Sequence, residues 1–359
     1  MSAPKVDIVV GGIWHAPDLA LGLSSAGWSV RVITSARSLD LPGVELRHVP
    51  VARYPLRLVS GFRRPDVAVH TAFGLAARSQ LRPDAVVVAW SSFALASLVA
   101  QHRPVVISRG STHIATQRRI LMQTAQSSGL PLPAPSAAMV ALERLEYARA
   151  TRVTVPTPDI AADPLWSEDA AALNVAPYGF PDWAGRVRRG ARARGRVVFG
   201  GEIGYRKGVD YLMAALRQRS PGASECRLFG RPVRGFPVGD IPDWWDMPGY
   251  VSSEKLHEEL GSASALVLLS REEGMARVGQ EALACGTPIV VSPQSGLGCW
   301  LKDGGGFVVD PHDPEAVRHA LARIDADWEH HSEVALRTAR SWSWEDHSRA
   351  VVEGLAGAI

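Results

Sequence analysis

The chain has 359 residues, of which 46% are hydrophobic and 21% charged, a balance typical of globular proteins and unlike that of disordered or collagen-like chains. A chain of this length is expected to form two domains rather than one. Its three cysteines are too few for a disulfide framework and form no C-x-x-C pair, which excludes a disulfide scaffold and disfavours a zinc site. The formal net charge is +3, with the basic excess in residues 1–178.

The first residues place one lysine before a short apolar run that is interrupted by Asp7 and two glycines, a pattern unlike a signal peptide. No run approaches the ~20 apolar residues that a membrane span needs, so we expect a cytoplasmic protein. Residues 51–66 are rich in arginine and aromatic side chains, and they form either an acceptor-binding loop or a peripheral contact with the anionic inner face of a membrane. The side chains concerned are Arg53, Tyr54, Arg57, Phe62, Arg63 and Arg64.

Short runs rich in valine and isoleucine recur at spacings too long for hairpins. They lie at 6–12, 30–34, 84–90, 104–108, 152–156 and 173–177, and again at 196–201, 226–230, 265–270, 288–292 and 306–310. Continuous apolar runs indicate strands buried on both faces, and the helical segments between them indicate right-handed crossovers. The sequence therefore predicts an α/β protein with two Rossmann-like parallel-sheet domains.

A segment rich in glycine, proline and arginine separates the two series and predicts an interdomain linker. We expect a first domain at 1–178, the linker at 179–195 and a second domain at 196–341. The final helix, at 342–359, follows no strand and could pack back on the first domain. Open parallel sheets bind ligands at the carboxyl ends of their strands, so both binding edges are expected to face a cleft.

The most informative stretch, residues 270–291, runs from a strand end into a helix that stops at Gly286. Glu273 precedes this helix and Glu281 lies about two turns into it, so two carboxylates approach one edge of the sheet. Free N–H groups at the start of the helix could hold an anion. The candidate residues there are Gly274, Met275, Ala276, Arg277 and Val278.

At these residues the sequence resembles the retaining glycosyltransferases of family 4, which have the two-domain GT-B fold. The resemblance rests on the E-x7-E spacing of Glu273 and Glu281 and on the E-A-x-A-x-G-x-P-x-V string over residues 281–290. It implies that Glu273 contacts the donor sugar and that Glu281 contacts the ribose. Surface glutamates at a helix start are the alternative interpretation.

Residues 196–216 are similar to a second segment of that family, G-R-L-x-x-x-K-G. Gly200 and Gly201 end a predicted strand, and Lys207 opens a helix from which it can reach a diphosphate. One departure is Glu202, which stands where the family has arginine and would repel a phosphate. The missing positive charge could come from Arg206 or Arg277, and both are kept as candidates.

In the first domain, residues 104–114 leave a strand with Arg109 and His113. A lone histidine is usually structural, but the resemblance implies that a histidine after this strand lies under the transferred sugar. We therefore expect His113 to hydrogen-bond the donor sugar or the acceptor, with Arg109 as an anion contact. His70 and His102 are weaker alternatives that we expect at the surface.

Gly11 and Gly12 follow the first predicted strand, and the resemblance implies that such a pair lets acceptor and diphosphate approach the backbone. Their spacing is not G-x-G-x-x-G, which disfavours a dinucleotide site. Residues 247–256 resemble the family segment whose backbone contacts the nucleobase, although a plain strand-to-helix turn explains them equally well. The residues placed there are Gly249, Tyr250 and Val251.

The resemblance implies a metal-independent, retaining hexosyltransferase that takes a nucleotide-diphosphate sugar, with UDP as the first choice of base and GDP as the second. Its acceptor would be a hydroxyl of a glycan, a lipid-linked sugar or a small molecule. The D-x-D string at 325–327 lies in a helical acidic region, which disfavours a metal-dependent enzyme. No metal, cofactor or nucleic-acid partner is expected. Two alternatives stay open: a sugar-nucleotide epimerase or hydrolase on the same fold, and a non-catalytic subunit that binds nucleotide or glycan.

Overall fold

The computed structural model describes residues 3–12, 15–36, 39–50, 66–94, 104–186 and 191–355. The arginine-rich residues 51–65 and His102 lie outside these ranges, so the interpretations of both stay predictions. Within the described ranges, no helix is long and apolar enough to cross a bilayer.

Contacts divide the chain into two compact units. The first unit comprises residues 1–118, 135–179 and 344–359, and the second comprises residues 119–134 and 180–343. The sequence had placed residues 119–134 in the first domain, whereas they group here with the second.

The sheet of the first unit has seven strands, all parallel, in the order β3-β2-β1-β4-β5-β6-β7. In its central strands β1 and β4, nearly every residue is buried and most are β-branched, as expected for a sheet covered on both faces. The strands are β1 (Lys5–Val10), β2 (Ser29–Thr34), β3 (Glu45–His48), β4 (Val86–Trp90), β5 (Val105–Ser108), β6 (Arg152–Val155) and β7 (Leu173–Val175). The helices between them are α1 (Ala16–Ser25), α2 (Asp66–Arg78), α3 (Ile114–Ser128), α4 (Ala137–Arg149), α5 (Pro158–Ala161) and α6 (Leu165–Asp169).

The sheet of the second unit has six strands, also parallel, in the order β10-β9-β8-β11-β12-β13. The strands are β8 (Arg196–Gly200), β9 (Glu225–Phe229), β10 (Trp245–Gly249), β11 (Ala265–Leu268), β12 (Ile289–Val291) and β13 (Gly306–Val308). The helices are α7 (Val209–Ala215), α8 (Ser253–Ser262), α9 (Arg277–Ala284), α10 (Pro314–Ala326) and α11 (Trp328–Ala339). These two parallel sheets confirm the predicted fold class.

The chain returns to the first unit in its final helix, α12 (Trp344–Val352). This helix packs on α1, where the Ser348 hydroxyl donates to the carbonyl of Leu19 at 3.2 Å. The apolar side chains Val351 and Val352 are buried in the core of the unit. A segment that is distant in sequence thus completes the first hydrophobic core.

Candidate active site

The carboxyl ends of β8 and β11 carry the two segments that the sequence singled out. β8 leads through Gly201 and Glu202 into the 3-10 turn Tyr205–Lys207, and β11 leads to Glu272 and Glu273 ahead of α9. The strand order of the second sheet reverses between β8 and β11. Such a switch point opens a crevice at the carboxyl edge, where α/β proteins place their ligands.

Two cations and three carboxylates meet at this edge, and we call them the charged cluster: Glu202, Arg206, Lys207, Glu272 and Glu273. Lys207 Nζ is ion-paired with Glu273 Oε1. Arg206 Nη1 lies 3.2 Å from the same oxygen and 3.7 Å from Glu272 Oε2, and Arg206 Nη2 lies 3.6 Å from Glu202 Oε2. Burial disfavours the charged guanidinium, but the surrounding carboxylates outweigh it and raise the pKa of Arg206.

The turn that carries both cations is fixed against the exit of β11. Gly208 has a φ of +69°, and a Cβ there would lie 1.9 Å from the carbonyl oxygen of Leu269, so only glycine fits. Arg271 forms a bidentate pair with Asp210 at 2.6 and 2.7 Å, and its backbone N–H donates to the Arg206 carbonyl at 2.8 Å. Sequence reasoning missed this ion pair. The signal that could have indicated it is the position of Arg271 directly before two glutamates, together with that of Asp210 in the first helical turn after Lys207-Gly208.

The first turn of α9 lies against the end of β8. A Cβ at Gly200 would meet Val278 Cγ2 at 2.8 Å. Gly274, Met275 and Ala276 are buried ahead of the helix, and its N-cap, Ala276, makes no side-chain hydrogen bond to the first turn. The first turn thus lacks a side-chain cap of its own, an arrangement in which a helix N-terminus can accept an anion from outside.

The two candidates for the missing positive charge lie in different places. Arg206 belongs to the charged cluster, whereas Arg277 is half-exposed and donates through Nε to Glu281 Oε1 at 3.2 Å. Burial raises the pKa of Glu281, and the positive charge of Arg277 partly offsets that effect. The geometry therefore puts Arg206 beside the Glu273 carboxylate and makes Arg277 the ion-pair partner of Glu281.

The segment predicted to meet a nucleobase lies at the same carboxyl edge, two strands from β8. Gly249 ends β10 with a φ of +81°, and its carbonyl accepts from the Gly230 N–H at 2.9 Å. Tyr250 is 77% exposed, and the guanidinium of Arg231 lies 5.8 Å from its ring centroid. Val251 is half-buried.

The side chain of His113 is engaged inside the first unit. Its side chain is fully buried: Nε2 donates to Asp169 Oδ2 at 2.9 Å, and Nδ1 accepts from the Ala115 N–H at 3.3 Å. Arg144 holds the same carboxylate, with Nε 2.7 Å from Oδ2. Burial lowers the pKa of His113 although Asp169 opposes the shift. Both ring nitrogens have partners inside the unit, and the role expected of His113 from the sequence stays a prediction.

Arg109 is likewise engaged inside the first unit. Its guanidinium lies 3.1 Å from Glu143 Oε2 and donates to Gln117 Oε1 at 2.7 Å and to the Thr112 carbonyl at 3.0 Å. Arg109 is thus part of a buried ion pair, and the anion contact expected of it stays a prediction.

The glycine pair after β1 packs against protein atoms. A Cβ at Gly11 would lie 2.4 Å from the ring of Phe93, so glycine is required there for packing. The Gly12 carbonyl accepts from the Thr34 hydroxyl at 3.0 Å. His70 is half-buried, with its ring centroid 4.3 Å from that of Phe93, rather than lying free on the surface.

The D-x-D string is part of an ion-pair network. Asp325 is paired with Arg192 and, at 3.1 Å, with Arg194. Across the residues that the structure describes, no group of three or more His, Cys, Asp and Glu side chains is placed to hold a metal ion.

Two family models match the chain: "Glycosyl transferase 4-like domain" over residues 10–179 and "Glycosyl transferases group 1" over residues 240–340. Together they span most of both units. The chain belongs to the GT-B glycosyltransferases. This membership confirms the resemblance to family 4 that the E-x7-E spacing indicated.

Solved structures show the same fold. The GT-B chain has a TM-score of 0.73 and 18% identity to a sucrose-phosphate synthase from Thermosynechococcus elongatus, over 96% of both chains. It has a TM-score of 0.72 and 12% identity to a structure described as "Trehalose-6-phosphate from E. coli bound with UDP-2-fluoro glucose", over 99% of both chains.

Curated relatives carry the name D-inositol 3-phosphate glycosyltransferase. The protein of that name from Streptomyces griseus subsp. griseus is 30% identical over 54% of this GT-B chain, and the match spans 51% of the relative. The one from Geodermatophilus obscurus is 28% identical over 92% of this chain and 81% of the relative. The chain thus spans about half the length of the first of these relatives.

Proposed function

We propose that this protein is a retaining glycosyltransferase that transfers a hexosyl group from a nucleotide-diphosphate sugar to a hydroxyl acceptor. The observation that carries the proposal is the charged cluster at the carboxyl ends of β8 and β11. There, the Glu273 carboxylate lies against Lys207 and Arg206, 3.2 Å from the guanidinium. Cations suited to a diphosphate and a carboxylate suited to sugar hydroxyls thus share one crevice.

Lys207 and Arg206 would neutralise the diphosphate as the sugar–phosphate bond breaks, because fixed charges aimed at the leaving group stabilise the transition state. The first turn of α9 would add backbone N–H groups to the same phosphates. Glu273 would accept hydrogen bonds from the sugar, and Glu281 from the ribose.

The acceptor would attack from the face that the diphosphate leaves, which retains the anomeric configuration. Its oxygen forms the new bond to the anomeric carbon while the old bond to the phosphate oxygen breaks. The departing phosphate takes the acceptor's proton. This route requires no enzymic nucleophile, and it gives Glu273 a binding role rather than a covalent one.

UDP is our first choice of base and GDP the second. Support comes from the structural neighbours, several of which are described as UDP-forming or as bound to UDP compounds. The names of the relatives favour a small phosphorylated polyol among the candidate acceptors, beside glycans and lipid-linked sugars. A peripheral membrane contact through residues 51–66 is a separate proposal, which flotation with anionic liposomes tests.

A thermal-shift panel of UDP, GDP, ADP and TDP with their sugars tests the donor class. A ligand at 100 times its Kd stabilises the fold by about 2.7 kcal/mol, so the preferred base should stand out. The Lys207→Ala variant should lose most of this shift.

Glu273→Gln should lower turnover by about 10²–10³-fold, the usual cost of one positioned polar group. EDTA should leave turnover unchanged.

Three outcomes would contradict the proposal or redirect it. Full turnover by Glu273→Gln would refute the site. Release of free sugar or an epimer without acceptor would favour the epimerase or hydrolase. Nucleotide binding without transfer to any acceptor in a panel would favour the non-catalytic subunit.

A further inference from the structure

The charged cluster holds more carboxylates than cations. Arg206 is shared among Glu202, Glu272 and Glu273, and Lys207 is paired with Glu273 as well. An incoming diphosphate therefore meets cations whose charge is already offset. One of the carboxylates must give way before Arg206 can bind a phosphate at full strength.

The three carboxylates differ in how easily they can move. The Glu272 side chain is 1% exposed and that of Glu273 is 12% exposed, whereas that of Glu202 is 64% exposed. Turning a buried carboxylate away from its cation is costly, but an exposed one is resolvated at once by water. Its contact with Arg206, at 3.6 Å, is about as long as that of Glu272, at 3.7 Å, so exposure is what distinguishes the two. Glu202 is thus the carboxylate that can leave Arg206 at least cost.

We propose that Glu202 is a counter-ion that competes with the diphosphate for Arg206 and turns outward when the ligand binds. The inference rests on the proposed function and deepens it, because it makes Glu202 a determinant of how tightly the diphosphate is held. A free nucleoside diphosphate carries one more ionisable oxygen than the nucleotide sugar. The repulsion from Glu202 therefore weakens binding of the nucleoside diphosphate product more than binding of the nucleotide-sugar donor. This difference favours product release.

Glu202→Gln tests this inference by a gain of affinity, which a misfolded variant cannot mimic. Titration calorimetry would measure binding of pyrophosphate and of the nucleoside diphosphate that gives the largest thermal shift. Exposed ion pairs are worth about 0.2–1 kcal/mol, so we expect both ligands to bind about 1.5- to fivefold more tightly. The gain should shrink at high salt and be smaller for the nucleotide sugar.

The matched control is Glu345→Gln, which removes another exposed glutamate from an i,i+4 pair, with Arg349 on α12. It should leave the affinity unchanged. In an Arg206→Gln background the effect of Glu202→Gln should vanish, since the two residues act through one contact.

Unchanged or weaker binding by Glu202→Gln would overturn the inference, and so would a gain that persists without Arg206. If wild type binds a nucleoside diphosphate and Lys207→Ala does not, the proposed function survives that result. If wild type binds none of the nucleotides, the proposed function is wrong, and this inference, which rests on it, is wrong as well.

Discussion

Glu281 shows how a single residue can be tuned by one neighbour. It is largely buried, which raises the pKa of its carboxyl, and the Arg277 guanidinium at 3.2 Å limits that rise. In the proposed site the carboxylate must be ionised to accept hydrogen bonds from both ribose hydroxyls. Donor binding should therefore weaken as the pH falls through the pKa of Glu281.

Arg277→Gln is expected to move this pH dependence upward. Removing the positive charge raises the pKa of Glu281 further, so the donor KM should begin to increase at a higher pH than in wild type. The measurement is donor KM against pH for both proteins. Arg349→Gln, which breaks the matched pair with Glu345 on α12, should leave the profile in place. If the profiles of donor KM against pH coincide for Arg277→Gln and wild type, Glu281 is not the group whose ionisation controls donor binding.

Among the elements, α1 and α12 meet at an unusually close contact. Gly22 lies within α1, and a Cβ there would be 2.6 Å from the Trp344 carbonyl oxygen and 2.3 Å from the Ser348 hydroxyl. Alanine normally stabilises a helix interior relative to glycine by up to about 1 kcal/mol. Here the partner helix occupies the space that the methyl group needs.

Gly22→Ala should therefore destabilise the protein, although propensity alone predicts the reverse. Overpacking of this kind costs about 1–3 kcal/mol, which urea unfolding followed by circular dichroism would measure. Gly239→Ala is the control, because a Cβ at Gly239 meets nothing within 4 Å. A more stable Gly22→Ala protein would show that the two helices do not pack this closely.

The central strands were predictable from sequence, as were the edge strands β7 and β13, whereas the edge strands β3 and β10 were not. Runs such as 84–90 and 265–270 are apolar except for Asp84 and Ser270 at their ends, because β4 and β11 are covered on both faces. β3 and β10 were missed, since both lie at sheet ends and leave much of their length exposed, as Arg47 and Met247 do. Their sequences lack the continuous apolar run that marks an interior strand.

The candidate site divides in a similar way. Glu273 and Lys207 could be singled out as candidates because local spacing carries their signal, as in E-x7-E, and the structure pairs the two side chains. The environments of His113 and Arg109 depend on Asp169 and Glu143, which lie 56 and 34 positions away along the chain. No local sequence pattern indicates a partner so far away along the chain. Sequence reasoning therefore could not predict that His113 and Arg109 are bound to these two carboxylates.

At the scale of the whole molecule, the first unit is assembled from separate stretches of chain, and α12 closes it. His347 lies inside this closure, with Nδ1 3.0 Å from the Pro177 carbonyl, to which it donates. Complete burial lowers the pKa of His347 to about 4, although its backbone partners oppose the shift. The folded protein therefore holds this histidine neutral in mildly acidic solution.

Acid should for this reason weaken the fold before most carboxylates titrate. The unfolded chain binds a proton at His347 below its ordinary pKa of about 6.5, whereas the folded one does so only near 4. The free energy of unfolding should fall by about 3 kcal/mol as the pH drops from about 6.5 to about 4. His347→Asn keeps an N–H donor without the titration, so its Tm should depend less on pH across this range. His319→Asn, at an exposed position, should behave as wild type.

The return of α12 to the first unit also orders events during biosynthesis. Every residue of the second sheet is translated before Trp344, so the ribosome has delivered that sheet in full while the first core still lacks Val351 and Val352. Domains usually fold from the amino end of the chain as they are synthesised. Here the first unit, although most of it is synthesised first, cannot complete its core until α12 has been synthesised. Until the helix emerges, the face of α1 around Leu19 and Gly22 lacks its packing partner.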